Sequence, residues 1–182
     1  LAPVHLPLPE APHRGYGSAP ELFTPPRPDD AAATQLQRLL RPHLAPADLV
    51  LAPQAIGGHV DHLLTARATA TASPPSRIGW WRDVPYVTRT ATPHAGARPG
   101  TPEAAGEVTV GIDAVLADKI AAAQCYTTQL RFQFGGPRQT ATFLSCMARS
   151  EALRTGAPYT HAESLKAGHT ALRLLESSTG TG

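Results

Sequence analysis

Short apolar runs alternate along the chain with longer segments in which apolar residues recur every three or four positions. Residues 48–52 form one such run, which is typical of a buried parallel strand. Leu36 and Leu40 lie one helical turn apart in the segment before it, and Asp29 or Asp30 ahead of them suits a helix N-cap. The two periodicities therefore predict strands and helices that follow one another along the chain.

The predicted elements form a strand–helix series. Strands are expected over 4–8, 48–52 and 107–112 and within 77–86, and helices over 31–42, 59–72, 113–130, 138–154 and 162–176. Pro42 is expected to end the first helix. Strands that alternate with helices favour an α/β sandwich with a mainly parallel sheet. We predict a single domain over 1–182, with a flexible loop over 91–106 and a tail over 177–182.

Composition narrows the class of protein. The 182 residues are 42% hydrophobic and 16% charged, so the chain can bury a core, whereas 19 prolines and 15 glycines indicate much loop. A net charge of +2 gives no basis for binding nucleic acid or a membrane surface, and no apolar run reaches the length of a membrane span. Two cysteines are too few for a disulfide framework or a thiolate metal site, so we expect a reducing, cytoplasmic location.

The segment most informative about chemistry is Gly57-Gly58-His59-Val60-Asp61-His62, which follows the strand at 48–52 and opens the next helix. In α/β sheets ligands bind beyond the carboxyl ends of strands, and this segment lies there. His59 and His62 share a helical face, so a metal could use one and leave the other to act as an acid. Asp61 suits the positive end of the helix and could orient an imidazole. Histidines near a helix start can equally be surface residues.

Several stretches together resemble the LmbE-like, or PIG-L, de-N-acetylases. The segment from Gly57 to His62 resembles the second signature of that family, and residues 81–86, Trp-Arg-Asp-Val-Pro-Tyr, resemble its Tyr-Glu-Asp-Leu-Pro-Tyr stretch. Residues 8–15 resemble a family loop of the Asp-Ala-Pro-Leu-Arg-Gly type, and the helix that carries Lys119 resembles the family's long helix. The stretches follow the family's order, and the resemblance covers almost the whole chain.

The resemblance implies a Rossmann-like three-layer sandwich and a zinc-dependent (Zn2+) hydrolase, with another divalent metal as an open alternative. Such an enzyme removes the acetyl group from an N-acetylglucosamine-type conjugate. Carried onto this sequence, His62 is the zinc ligand, His59 stabilises the oxyanion or protonates the leaving amine, and Asp61 supports His59. Zinc would polarise the amide carbonyl, and a protonated histidine would neutralise the charge that develops.

The family's first signature, Ala-His-Pro-Asp-Asp-Glu, is the clear departure. In the family it supplies a histidine and an aspartate ligand and the general base. Its nearest counterpart here is Arg27-Pro28-Asp29-Asp30, which we interpret as a helix cap. The chain is therefore interpreted as the C-terminal portion of a deacetylase domain whose first strand–helix units are absent from it. We expect the uncovered sheet edge to be met by a companion N-terminal segment or by a second copy in a homo-oligomer.

Two other classes of protein remain open. A non-catalytic carbohydrate-binding or scaffolding relative would lack a complete metal site. A generic nucleotide-binding domain is disfavoured because the sequence has no Gly-x-Gly-x-x-Gly loop. Trp80 or Trp81 could stack on a sugar, but alternation along a strand places one of the two in the core. The expected partner is a small N-acetylated sugar conjugate, with no nucleic acid and no membrane.

Overall fold

The computed structural model of the chain describes residues 2–88 and 106–179. Within them lie the helices α1 (Ala32–Leu44), α2 (Val60–Ala72), α3 (Leu116–Gln124), α4 (Thr127–Phe134), α5 (Pro137–Thr155) and α6 (His169–Thr179), and the strands β1 (Val50–Pro53), β2 (Ile78–Trp81), β3 (Gly106–Gly111) and β4 (Ala162–Ala167). These residues form two compact units. The first comprises the described residues up to Gly106 together with Lys166–Leu174, and the second comprises Glu107–Leu165 and the described residues from Leu175 onwards.

β1 and β2 pair in parallel in the first unit, as the two apolar runs predict. Val50 is level with Ile78 and Pro53 with Trp81, so the two strands end side by side. Parallel strands need a crossover connection, and α2 supplies it. Trp80 is buried and Trp81 is exposed, which confirms that only one of the two tryptophans faces the core.

Two sides of α2 are buried, which explains why its apolar residues do not form a single stripe. Leu63 and Ala66 belong to a cluster with residues of β1 and β2. Val60 and Leu64 belong to a second cluster with α1 and the segment before it, where Tyr16 is almost completely buried. Because α2 is packed on both sides, the core of the first unit holds the residues of its first turn in place.

The sheet is mixed, so the prediction of a mainly parallel sheet is wrong. The strand order is β1-β2-β4-β3. In the first unit the N–H of Gly168, just after β4, donates to the carbonyl of Ile78 at the start of β2. In the second unit the N–H of Ile112, just after β3, donates to the carbonyl of His161, just before β4. β4 therefore runs antiparallel to both of its neighbours.

β4 occupies the first part of the segment predicted as one helix over 162–176. Its sequence, Ala-Glu-Ser-Leu-Lys-Ala, is rich in helix formers, but strand pairing and burial override that propensity. Gly168 lies between β4 and α6. Only glycine fits at this position, because a Cβ would lie 2.1 Å from the carbonyl oxygen of Pro75. α6 then continues to Thr179, into the segment predicted as a tail.

The long helix predicted over 113–130 is two helices. α3 ends at Gln124 and α4 begins at Thr127, and between them the N–H groups of Cys125 and Tyr126 donate to carbonyls three residues back. No proline or glycine marks this break, so the sequence pattern does not reveal it.

Two predictions near the start of the chain are also wrong. α1 continues past Pro42 to Leu44, because a proline in the last turn removes one hydrogen bond without ending the helix at once. Residues 4–8 form no strand, and the prolines in and beside this stretch lack the N–H groups that a strand ladder needs. The predicted loop over 91–106 lies outside the described residues except for Gly106, which begins β3.

α5 is the central helix of the second unit and packs against α3 and α4. Its buried residues follow one another at four-residue spacing: Thr140, Leu144, Ala148 and Ala152. The helix predicted over 138–154 is therefore confirmed, with one face turned inward. None of the helices in residues 2–88 and 106–179 combines the length and the apolar character that crossing a lipid bilayer requires.

Candidate functional site

Two loops, residues 54–59 and 82–86, follow the carboxyl ends of β1 and β2. The N–H of Gln54 donates to the carbonyl of Trp81 at 3.0 Å, and its side-chain amide donates to the carbonyl of Trp80 at 2.9 Å. These bonds tie the start of one loop to the end of the neighbouring strand. This is the edge at which α/β sheets bind ligands and at which the sequence predicts a site.

The loop after β1 turns sharply into α2. Ala55, Gly57 and Gly58 have positive φ angles of 60°, 84° and 75°, and the N–H of Gly58 donates to the carbonyl of Ala55 at 3.1 Å. A Cβ at Gly57 would lie 2.7 Å from the Cβ of Tyr86, so glycine alone suits both the conformation and the space. The turn places His59 at the N-cap of α2.

His59 caps the helix with its own side chain. Its Nδ1 accepts a hydrogen bond from the N–H of Asp61 at 3.2 Å, so the hydrogen of the neutral ring lies on Nε2. Burial lowers the pKa of His59, and the neighbouring His62 lowers it further, against the opposing effect of the Asp61 charge. The site therefore favours a neutral imidazole that donates from Nε2, whereas the resemblance implies a protonated histidine.

His62 lies on the same face of α2, with its ring centroid 5.3 Å from that of His59. Its Nδ1 is 2.5 Å from Oδ1 of Asp83. The side chain of Asp83 is completely buried, and its Oδ2 accepts a hydrogen bond from the N–H of Ile56 at 3.0 Å. A carboxylate behind an imidazole is the common support of a metal-binding histidine, because it leaves Nε2 for the metal.

From the sequence, Asp83 is expected to brace the edge of the sheet rather than to contact substrate, and its support of His62 is not predicted. The signal that identifies it is positional. An aspartate directly after a buried strand, beside the strand that leads to a histidine pair, falls at the same sheet edge as that pair. Such an aspartate is rarely buried unless a hydrogen-bond donor faces it, and His62 and Ile56 provide the donors.

Phe23 and Tyr86 complete a group of rings around the two imidazoles. Phe23 meets His59 edge-on at 5.4 Å, and Tyr86 meets His62 edge-on at 5.3 Å. Tyr86 is buried, whereas Phe23 is 42% exposed, so Phe23 is the ring that a ligand can reach. Its position in the short turn Glu21–Phe23, far from His59 in sequence, left no pattern from which to predict its role.

The carboxylate of Asp61 holds the N-terminal segment. Its Oδ1 accepts a hydrogen bond from Arg14 at 2.7 Å, and its Oδ2 accepts one from the N–H of Ala11 at 3.1 Å. The link from Asp61 to His59 is made by the backbone N–H. Asp61 therefore orients His59 through its main chain and docks residues 11–14 against the first turn of α2 through its side chain.

Arg14 also joins this segment to α1 through Asp30. Its guanidinium lies 3.3 Å from both oxygens of Asp30, and the hydroxyl of Tyr16 donates to the same carboxylate at 3.0 Å. The N-cap of α1 is Ala31, which makes no side-chain cap bond, so the prediction of Asp29 or Asp30 as the N-cap is wrong. Asp30 lies one residue earlier and accepts a hydrogen bond from the N–H of Ala32, the first residue of α1, at 3.0 Å. Burial acts to raise the pKa of Asp30, but these hydrogen bonds and the charge of Arg14 outweigh it and lower the pKa.

No complete metal site is formed within the part of the chain that the structure describes. In residues 2–88 and 106–179 no group of three or more His, Cys, Asp or Glu side chains is arranged to hold a metal ion. His62, supported by Asp83, suits one ligand position, but Asp61 is engaged with Arg14. A catalytic zinc site normally uses three protein ligands.

The fold and the site define an α/β protein with a carboxylate-supported histidine pair beyond its strand ends. No protein-family model matches the chain. Over 79 residues the chain is 39% identical to the 2'-N-acetylparomamine deacetylase of Streptomyces fradiae, a match that covers 41% of this chain and 28% of that protein. The chain thus spans less than a third of the length of this curated relative.

The fold is similar to that in the crystal structure of the antimicrobial reagent A40926 pseudoaglycone deacetylase Dbv21. The TM-score is 0.61 at 24% sequence identity, and the match covers 76% of this chain and 57% of that chain. At this identity the likeness establishes the mixed α/β fold alone.

Proposed function

We propose that the protein is an amide hydrolase that removes an acetyl group from an N-acetylated sugar-type substrate, specifically an N-acetylglucosamine-type conjugate. The observation that carries the proposal is the His59–His62 pair, with Asp83 behind it, at the strand ends of this fold. The local identity of 39% to a protein named as a deacetylase supports the same reaction class. The resemblance of its motifs to the LmbE-like de-N-acetylases supports the same reaction class.

His59 can supply the hydrogen-bond donor that amide hydrolysis requires. Negative charge develops on the carbonyl oxygen as the amide is attacked, and a fixed donor in a partly buried site stabilises it. His59 provides such a donor at Nε2, because its Nδ1 is occupied by the N–H of Asp61. His59 is proposed for this role, with protonation of the leaving amine as the second possibility, and Asp61 keeps its ring in place.

Zinc is part of the proposal, with another divalent metal as the alternative. His62 is the ligand that this chain contributes, and its support by Asp83 suits that role. The remaining ligands would come from outside the described residues. Zinc, when bound, would polarise the carbonyl of the acetamide.

The proposal also covers the complete fold, the cellular location and the partner of the protein. A Rossmann-like three-layer sandwich would be completed by strand–helix units from a companion segment or by a second copy in a homo-oligomer. Cys125 and Cys146 are free and exposed, which agrees with a reducing, cytoplasmic location. The proposed partner is the sugar conjugate, without nucleic acid or membrane.

Release of acetate tests the proposal. The protein as encoded, with any residues that flank these 182, is supplied with zinc and incubated with N-acetylglucosamine and its conjugates. We expect acetate and free amine to appear in equal amounts. A His161→Ala variant, altered at a histidine of the second unit that faces Asp113, is expected to keep this activity.

A second candidate function gives a different result in the same experiment. It is a non-catalytic carbohydrate-binding or scaffolding relative, which would need no metal ligands beyond those among the described residues. Saturable binding of a conjugate without any acetate release would support that function and overturn the hydrolase.

A further inference from the structure

The two neighbouring imidazoles meet opposite hydrogen-bonding groups at the same ring atom. Nδ1 of His59 faces the N–H of Asp61 at 3.2 Å, whereas Nδ1 of His62 faces a carboxylate oxygen of Asp83 at 2.5 Å. A backbone N–H can only donate, and an ionised carboxylate can only accept. The neutral ring of His59 therefore has no hydrogen on Nδ1, and that of His62 must have one there.

We propose that Asp83 is a positioning residue that fixes the hydrogen of His62 on Nδ1, so that the pair presents a bare Nε2 from His62 beside an Nε2–H from His59. The inference rests on the proposed function, for which it gives the division of labour between the histidines. The bare nitrogen is the acceptor or metal ligand, and the N–H is the donor toward substrate.

Asp83 is built to enforce this arrangement. Its side chain is completely buried, so water cannot take the place of either partner. Oδ2 is held by the N–H of Ile56 at 3.0 Å, and Ile56 belongs to the tight turn between Ala55 and Gly57. With one oxygen held by the main chain, the other oxygen faces His62. Neither ring can exchange its tautomer without losing a hydrogen bond in a buried or half-buried place.

The wild-type chain provides the first test, because tautomers can be read without substrate or metal. Imidazole ¹⁵N NMR on the metal-free protein as encoded, at a pH at which the rings are neutral, shows which nitrogen of each ring carries the hydrogen. We expect Nδ1–H as the major form of His62 and Nε2–H as the major form of His59. A His62 ring protonated on Nε2 would overturn the proposal.

Asp83→Asn provides the second test. The N–H of Ile56 requires an acceptor, so the amide oxygen turns to it and the amide NH₂ faces His62. We expect the major tautomer of His62 to change from Nδ1–H to Nε2–H, while that of His59 is unchanged. If Asp83 only stabilised the fold, Asp83→Asn would lower the midpoint of unfolding without changing the tautomer of His62. A folded Asp83→Asn chain that keeps Nδ1–H on His62 therefore contradicts the proposal.

Asp113→Asn is the matched control. Asp113 accepts from the N–H of Thr160 at 3.1 Å and faces Nδ1 of His161 at 2.8 Å, the same pair of groups in the second unit. This variant should leave the tautomer of His62 unchanged, and an equal change in His62 would overturn the proposed action of Asp83. If Asp83→Asn does not fold, the wild-type spectrum alone decides.

The inference and the proposed function can fail separately. The expected tautomers in a protein that releases no acetate would leave the role of Asp83 standing and reject the hydrolase. Acetate release from a protein in which His62 carries its hydrogen on Nε2 would support the hydrolase and reject the role of Asp83.

Discussion

Removal of the Asp30 carboxylate should loosen the N-terminal segment from the two helices beneath it. The side chain of Asp30 is only 4% exposed, and it accepts hydrogen bonds from Arg14, from the hydroxyl of Tyr16 and from the N–H of Ala32. Asp30→Ala removes all of these bonds together. Arg14 keeps its bonds to Asp61 and to the carbonyl of Pro9, so its charge is not left without a partner.

The expected loss of stability follows from these contacts. A hydrogen bond to a charged group contributes about 1.5–3 kcal/mol, and bonds that share one carboxylate are not additive. Breaking a buried ion pair costs about 3–5 kcal/mol when the remaining charge has no partner, but Arg14 keeps one here. We therefore expect Asp30→Ala to lower the free energy of unfolding by about 3 kcal/mol.

Urea unfolding of Asp30→Ala beside Asp29→Ala measures the effect. Asp29 is the exposed neighbour, and its substitution should change the free energy of unfolding by no more than ~0.5 kcal/mol. Limited proteolysis should also cut Asp30→Ala faster than wild type within residues 9–27. Equal stability of the two variants would refute the reasoning.

The contribution of Asp30 to the free energy of unfolding should depend on pH in a definite direction. The folded-state pKa of Asp30 is lowered, so its contribution is fully present above the unfolded value of ~3.9 and is lost as pH falls through the folded pKa. Wild type should therefore lose stability more steeply than Asp30→Ala below about pH 4. Parallel curves for the two proteins in that range would contradict the assignment.

Three further substitutions probe the site. Gly57→Ala places a Cβ against Tyr86 at a φ of 84°, whereas Gly156→Ala places one in open space at a φ of 65°. In urea unfolding Gly156→Ala should lower the free energy of unfolding by only ~1–2 kcal/mol, and Gly57→Ala should lower it clearly more. Equal losses would refute the close contact at Gly57. Phe23→Ala, which removes an exposed ring, should raise KM about 2- to 10-fold with a smaller effect on kcat in steady-state assays, and an unchanged KM would exclude it from the binding surface. His59→Ala should keep the metal content but lower turnover by ~10², and loss of metal instead would reverse the roles of the two histidines.

The part of the fold that carries the site is predicted well because its signals are local. An apolar run, a glycine pair and an amphipathic segment lie side by side in sequence, and they become β1, the loop and α2. Parallel pairing with the next apolar run follows from the crossover helix between them. The closeness of His59 and His62 at the start of α2 therefore follows from residue spacing alone.

The features that sequence does not reveal depend on contacts between distant residues. Asp83 lies far from His62 along the chain, and its role follows only once β1 and β2 are paired. The ion pairs of Arg14 with Asp30 and Asp61 join three segments, so no single stretch of sequence indicates them. The strand β4 is formed by helix-favouring residues that are buried between neighbouring strands, so propensity points the wrong way.

The central claim is that His62 holds the metal of a deacetylase, and one paired measurement tests it most directly. Zinc content and acetate release are measured together on the protein as encoded, for wild type, His62→Ala and the control His161→Ala. The account predicts that His62→Ala loses bound zinc and acetate release together, while wild type and His161→Ala keep both. Retention of zinc and undiminished acetate release in His62→Ala would contradict it.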